Sequence, residues 1–309
     1  MATQYDFFQG ANLEAHTLKS KWLQSLACPI CKQALRYQEE KLLICGRCPA
    51  TYLIRDGIPI LLDPAGQKEY KAVLESLSGR EMVSQYSNLS LWARTIKAVR
   101  QVVTLDYIPY PPDLTGWIQR LGPESLVIEV GSGPRRLHPQ IINLDIGPFH
   151  QVDIVADGGN LPFLEDSLDF VILDVVLEHV KYPSQFLREA HRALKPGGLI
   201  YVAVPFVHPY HAYPADYHRF SVDSLRLLTH CFTTLEAGVL RGPMAAVLNC
   251  LSDLPFLWTF SDNPKVYQFT KGLLLLFTFW IKYLDKILVK NPQAHRLAHC
   301  LYFLGQKVE

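Results

Sequence analysis

Val127-Ile128-Glu129-Val130-Gly131-Ser132-Gly133, followed by Asn143-Leu144-Asp145, is the stretch on which the fold turns. An apolar run ends in an acidic residue and a glycine turn, so a buried strand breaks where backbone can approach a ligand, and a second carboxylate follows on the next strand. Alone this is a weak signal, since Gly-x-Gly also arises in ordinary strand-to-helix turns. The residues downstream strengthen it. Val152-Asp153-Ile154-Val155-Ala156-Asp157 reads as a third strand ending in an acid, and Leu161-Pro162-Phe163 with Ser167 to Leu173 supplies a fourth. After Leu177-Glu178-His179-Val180 come Phe186, Leu187, Ala190 and Leu194 at helical spacing; Lys195-Pro196-Gly197-Gly198 stops that helix before a fifth strand, Leu199 to Val204.

Over roughly residues 124 to 240 this succession resembles the class I S-adenosylmethionine-dependent methyltransferases of the type 11-like group, particularly the subgroup with ubiquinone and menaquinone biosynthesis enzymes. The resemblance implies an α/β fold with a Rossmann-like, mostly parallel seven-stranded sheet, and S-adenosyl-L-methionine as cofactor. It sets Asp145 on the ribose diol and Gly131, Ser132 and Gly133 against the methionine part, with Glu129 ordering that turn or the amino group. Asp157 falls near adenine, with Gly158 and Leu161 lining its pocket; a simple loop cap is the alternative for Asp157. Asp174 and His179 fall around the end of the fourth strand, where such sheets open their ligand crevice.

The chain departs from the family pattern in one place. From Gly133 to Asp145 there are too few residues for a full crossover helix, and Arg135, beside Pro134, replaces the third glycine. Between Asp145 and Val152 only Gly147-Pro148-Phe149-His150 connects two strands. Abbreviated first crossovers are therefore expected, with helices before residue 122 covering the sheet face left bare.

With 309 residues, 49% hydrophobic and 19% charged, the chain can bury one sizeable core and carry a smaller unit. A net charge of +1 gives no global attraction to nucleic acid, although a local basic patch stays open. Met1 to Lys21 holds acidic residues and no long apolar core, so it does not read as a secretory signal and a cytoplasmic location is expected. Four of the seven cysteines form Cys28-Pro29-Ile30-Cys31 and Cys45-Gly46-Arg47-Cys48. Two such pairs on facing turns, with a hairpin through Leu42-Leu43-Ile44, present four thiolates to a structural Zn2+; a redox disulfide pair is the alternative. Residues 22–63 also resemble the small zinc-ribbon proteins that activate tRNA, ribosomal and release-factor methyltransferases.

The expected organisation is a zinc ribbon over 22–63, a helical cover over 64–122 and an S-adenosylmethionine-binding methyltransferase domain over 123–309. In the cover, Trp92, Ile96, Val99 and Val103 share one helical face, and a second helix runs from Asp113 to Leu121. Phe232 to Leu240 reads as a sixth strand and Leu301 to Gly305 as the last, so residues 241–299 form an apolar, basic helical insertion. Its run Leu273 to Ile281 is about half the roughly 20 residues a membrane span needs. Pro264 to Arg296 carries six basic residues against Asp285 alone, a net +5. Such a segment either rests on anionic lipid, as a peripheral membrane contact, or roofs the active site; the roof is favoured.

His208-Pro209-Tyr210-His211-Ala212-Tyr213-Pro214-Ala215-Asp216-Tyr217-His218-Arg219 follows the fifth strand on the ligand side of such a sheet and reads as the substrate loop. His211 is the first candidate base, with Asp216 orienting it or taking the proton directly. Arg219 suits an anionic acceptor, and His179, His208, Tyr217 and His218 are further substrate contacts. His208, His211 and His218 lack a register that would converge them on a metal. Three functions are open: a methyltransferase of a small, lipid-linked or glycan-derived acceptor; one of RNA or a translation factor, docking through the ribbon; or a non-catalytic cofactor-binding subunit.

Overall fold

A computed structural model describes residues 21–38, 41–78, 113–258 and 264–308. The helical face of Trp92, Ile96, Val99 and Val103 and most of the Met1–Lys21 segment lie outside them. The first strands among the described residues form a small meander of β1 (Leu35–Gln38), β2 (Leu42–Cys45), β3 (Thr51–Arg55) and β4 (Ile58–Leu61), each strand antiparallel to the next. α1 (Pro64–Ser78) and α2 (Leu114–Leu121) follow, then β5 (Val127–Val130), β6 (Ile142–Asp145) and β7 (Ile154–Ala156). Every residue of β5, β6 and β7 is buried, as expected of short apolar strands in a parallel sheet covered on both faces.

β8 (Leu168–Asp174), α3 (Pro183–Ala193), β9 (Leu194–Pro205), α4 (Val222–Leu228) and β10 (Phe232–Arg241) continue the alternation. The helix expected to include Leu194 ends one residue earlier, because Leu194 already pairs with Leu168 and starts β9. α5 (Pro243–Trp258), α6 (Pro264–Thr278) and α7 (Asp285–Leu288) precede β11 (Cys300–Lys307), which lies antiparallel between β9 and β10. The strand order is β7-β6-β5-β8-β9-β11-β10, with parallel pairing from β7 through to β9. This is a Rossmann-like mixed sheet.

Among the described residues no helix links β5 to β6 or β6 to β7. Arg136 does that work instead: its guanidinium meets both oxygens of Asp153 at 2.9 and 2.8 Å and donates to the Ile141 carbonyl at 2.6 Å. α2 covers part of the sheet, its Leu114, Trp117, Ile118 and Leu121 packing with Val127, Ile141, Phe170 and Ile172. Asp113 caps that helix by accepting from the Gly116 amide at 3.0 Å.

The meander extends the sheet. β4 runs parallel to β7, with Ile60 opposite Val155 and Leu61 opposite Ala156. Leu26, Leu43, Tyr52 and Leu61 join one apolar cluster with Ile128, Leu144, Ile154 and Phe163. Strands β1 to β11 thus form a single sheet around a shared core.

In the insertion, Asp285 is buried and accepts from the amides of Met244 and Ala245 at 2.9 and 3.0 Å, capping α5. Lys282 is buried as well, so two of the charges counted above never reach solvent, whereas Lys286, Lys290 and Arg296 do. No helix among the described residues is long and apolar enough to cross a membrane.

Candidate active site

The glycine turn after β5 is built on left-handed backbone. Gly131 (φ 73°) donates to the Leu144 carbonyl at 2.8 Å, and a Cβ there would overlap the Val176 side chain. Gly133 (φ 58°) faces open space and donates to Asp145 Oδ2 at 2.8 Å, while Asp145 Oδ1 accepts from Gly147 at 2.7 Å. Burial raises the Asp145 pKa, opposed by those amides. Ser132 is buried beside it. At the tip of β8, Val175 holds φ 56°, a conformation that costs a β-branched residue about 1–3 kcal/mol.

Glu129 is fully buried at the end of β5. Its Oε1 meets Arg135 Nη2 at 2.7 Å, and Oε2 has no hydrogen-bond partner. Burial pushes its pKa up to about 7 against the pull of Arg135. The same Arg135 atom lies 2.7 Å from Asp174 Oδ2. The residue that breaks the glycine pattern therefore joins two strand-tip carboxylates. Sequence reading treated Arg135 as a departure only; the signal it missed was a cation six residues after a buried acid.

Asp157 accepts from the Gly159 amide at 2.7 Å, the loop cap kept as its alternative. Gly158 is packed against Phe186 and Val130. Leu161 is 0% exposed, and its carbonyl is taken by Lys32 and Arg192 at 3.0 and 3.1 Å. Its side chain belongs to the apolar core.

The second cluster begins two residues beyond Val176. Glu178 is 0% exposed, and neither carboxylate oxygen has a hydrogen-bond partner. His179 Nε2 and His211 Nε2 lie 3.7 and 3.6 Å from its Oε1. His179 Nδ1 donates to the Ala215 carbonyl at 2.6 Å. His211 Nδ1 is 3.6 Å from Asp216 Oδ2, and the His211 amide donates to that oxygen at 2.8 Å.

Asp216 and Arg219 form a bidentate pair at 2.5 and 2.6 Å, and Arg219 also donates to the carbonyls of His208, Pro209 and His218 at 3.0, 2.9 and 2.8 Å. The guanidinium holds the Asp216 carboxyl down to about 2. Asp216 is therefore a poor proton acceptor, and Arg219 staples the loop rather than standing free for an anion. Tyr217 is exposed, and His218 turns away to the Lys181 carbonyl at 3.3 Å. The His208 ring lies tilted against those of His211 and His299, 4.1 and 4.6 Å away between centroids. Asn249 of α5 approaches His299 Nε2 at 2.5 Å and His208 Nε2 at 3.4 Å, so α5 touches this loop. Glu178, Asn249 and His299 received no role from sequence; only the adjacency of Glu178 to His179 after a strand offered a clue.

At the far edge of the sheet, the sulfur atoms of Cys28, Cys31, Cys45 and Cys48 all lie within 4.8 Å of one another. The Cys31–Cys45 and Cys28–Cys48 separations of 3.3 and 3.6 Å far exceed a disulfide bond of about 2.05 Å. They approach the spacing of about 3.8 Å set by tetrahedral thiolates bonded at about 2.3 Å, so this donor set fits zinc.

Residues 136–202 match the family described as a methyltransferase domain, and residues 19–57 match the Trm112p-like proteins. A UPF0434 protein of Methylobacillus flagellatus is 44% identical over 52 residues, which are 16% of this chain and 87% of that protein. The biotin biosynthesis bifunctional protein BioHC of Cellvibrio japonicus is 22% identical over 191 residues, 55% of this chain and 36% of that protein's own length. A solved complex between the Haloferax volcanii Trm112 methyltransferase activator and the putative methyltransferase aligns with 60% of this chain and 82% of that chain, at 18% identity and a TM-score of 0.38. The chain thus carries a Trm112p-like zinc-ribbon domain at its N-terminal side and, behind it, a methyltransferase domain of the S-adenosylmethionine-dependent class.

Proposed function

We propose that this methyltransferase passes the methyl group of S-adenosyl-L-methionine to a small polar acceptor, lipid-linked or glycan-derived, held between the tip of β8 and the loop 206–221. The observation that carries the reading is the meeting of two unsatisfied sites at one residue. Val176 packs on the Gly131 turn, which follows Glu129 and its unpaired Oε2 by two residues, and two residues after Val176 Glu178 lies buried with both oxygens unpaired.

The residues fit the cofactor. Glu129 Oε2 needs a donor, which an α-amino group supplies; Arg135, aimed by two carboxylates, suits an α-carboxylate; the open space at Gly133 admits the chain between them. Asp145 suits the ribose diol and Asp157 the adenine end. When bound, the cofactor supplies an electrophilic methyl carbon on a sulfonium. Positioning then gives most of the rate, and a base is needed only where the attacking atom carries a proton. His211 takes that proton, with Asp216, locked by Arg219, holding its backbone amide.

Exposed Tyr210, Tyr213 and Tyr217 on the loop suit a sugar face. Phe269, Leu273, Leu276, Phe277, Trp280 and Ile287 form an exposed apolar stripe at helical spacing, next to exposed Lys286 and Lys290, which supports an acceptor carried at an anionic lipid surface. The ribbon spends the β4 edge on β7, so that edge is not available for docking a second macromolecule. Zinc-loaded protein incubated with methyl-labelled cofactor, and separately with lipid extract, total RNA and a soluble small-molecule fraction, tests the reading. Label in the lipid or saccharide fraction is expected. Label in RNA instead overturns the acceptor class, and no calorimetric heat with S-adenosylhomocysteine overturns the cofactor site.

A further inference from the structure

We infer that Glu178, His179 and His211 hold a divalent first-row transition metal ion with an open coordination position, distinct from the four-cysteine centre. One oxygen of Glu178 and one nitrogen of each imidazole lie within 4.8 Å of one another.

Three independent features converge on a cation. First, a wholly buried carboxylate with no hydrogen bond to either oxygen costs several kcal/mol unless a positive charge meets it. Second, the gaps of 3.7 and 3.6 Å from Glu178 Oε1 to the two Nε2 atoms are too long for hydrogen bonds. Donors bonded at about 2.0–2.2 Å to a shared ion stand about 3–3.5 Å apart, so a small contraction completes a site.

Third, the tautomer of His179 is set from behind. A carbonyl only accepts, so the 2.6 Å contact from His179 Nδ1 to Ala215 places the ring proton on Nδ1 and leaves the Nε2 lone pair facing the carboxylate. His211 Nδ1 is buried without a hydrogen-bond partner, with Asp216, locked by Arg219, 3.6 Å away. The His179 lone pair and the carboxylate repel unless something positive lies between them. A carbonyl behind a ligating imidazole is the usual support of a metal site.

Two imidazoles and one carboxylate suit Zn2+, Mn2+ or Fe2+ rather than an all-oxygen ion, and three protein ligands leave a position for water or substrate. The grouping of His208, His211 and His218 weighed from sequence does not form, since His218 turns to Lys181. The ion itself does not depend on the proposed methyl transfer; only its use does. An acceptor hydroxyl at the open position would become more acidic, and His211 would then act as ligand in place of base.

The test uses full-length protein with its ribbon zinc in place, titrated with Mn2+ and followed by the loss of the free-ion electron paramagnetic resonance signal. Thiolates discriminate against manganese, so the four-cysteine site stays silent. One Mn2+ per chain is expected, displaced by one added Zn2+. Glu178→Gln and His179→Gln should each weaken manganese binding by at least tenfold while keeping one zinc per chain, which reports a folded ribbon. The inference is overturned if the wild-type chain takes up no ion beyond one zinc, or if Glu178→Gln binds manganese as wild type does. Calorimetry with S-adenosylhomocysteine on the same sample separates this failure from failure of the cofactor site.

Discussion

The seam between ribbon and sheet and the strand tips around β8 use similar residues to opposite ends. At the seam polar groups are matched: Lys32 Nζ contacts Asn160 Oδ1, the Leu161 carbonyl at 3.0 Å and Glu189 Oε2 at 2.8 Å, Asn160 donates to Asp63 at 2.8 Å, and the Ala27 amide donates to the Pro162 carbonyl at 2.9 Å. The buried side-chain atoms left unpaired among the described residues are Glu129 Oε2, Asn143 Oδ1, both oxygens of Glu178 and His211 Nδ1. All belong to the sheet and loop around the candidate site, and none to the seam. Buried polar atoms are normally satisfied, so the contrast separates a surface completed by folding from one completed by ligands.

The strongest way to break the contrast is to remove the ribbon's metal. Structural zinc supplies about 10–16 kcal/mol in small zinc-folded units. Because Leu43, Cys45 and Tyr52 share a cluster with Ile128 and Leu144, chelation or Cys45→Ser is expected to unfold ribbon and sheet in one cooperative transition. Circular dichroism melts with and without chelator measure this. A chelated chain that keeps its upper transition and still binds S-adenosylhomocysteine would show that the seam does not couple the regions.

At the tips, Gly131→Ala combines left-handed backbone with overlap against Val176. Calorimetry should show about a 100-fold loss of affinity for S-adenosylhomocysteine, equivalent to about 2.7 kcal/mol. Wild-type affinity in this variant would remove the turn from the site.

The strands and the cysteine pairs were legible in sequence because each rests on local pattern: apolar runs closed by Gly or an acid, and paired thiols at fixed spacing. The missing crossover helices were legible too, by counting residues between Gly133 and Asp145. What replaced them was not. Arg136 reaches Asp153, and Arg135 reaches Asp174, through side-chain directions that no spacing rule encodes. A polar loop after β9 was legible as well, but its internal pairing was not. Asp216 and Arg219, three residues apart, satisfy each other, whereas Glu178 gains its importance from burial, which is a property of the assembled fold.

Lys32→Met sharpens the contrast from the seam side. Glu189 keeps Arg192 at 2.8 Å but loses its second cation, and Asn160 loses a donor. A stability loss of about 1–2 kcal/mol is expected in urea unfolding, with S-adenosylhomocysteine affinity unchanged. A matching loss of affinity would mean that the seam acts on the site.

The smallest expected effect is a pH dependence at Glu129. Burial raises its pKa in the folded chain from an ordinary value of 4.5 to about 7. The folded state therefore holds this proton more tightly than the unfolded chain, so the associated stabilisation is complete below pH 4.5 and is lost as pH rises through 7. Cofactor binding should run the other way, because only the ionised carboxylate can both pair with Arg135 and accept from an ammonium group. Affinity for S-adenosylhomocysteine is expected to rise about tenfold between pH 6 and 8, and Glu129→Gln should flatten that rise. A flat wild-type profile would mean that Arg135 alone satisfies Glu129, and the unpaired oxygen would lose its meaning as a ligand site.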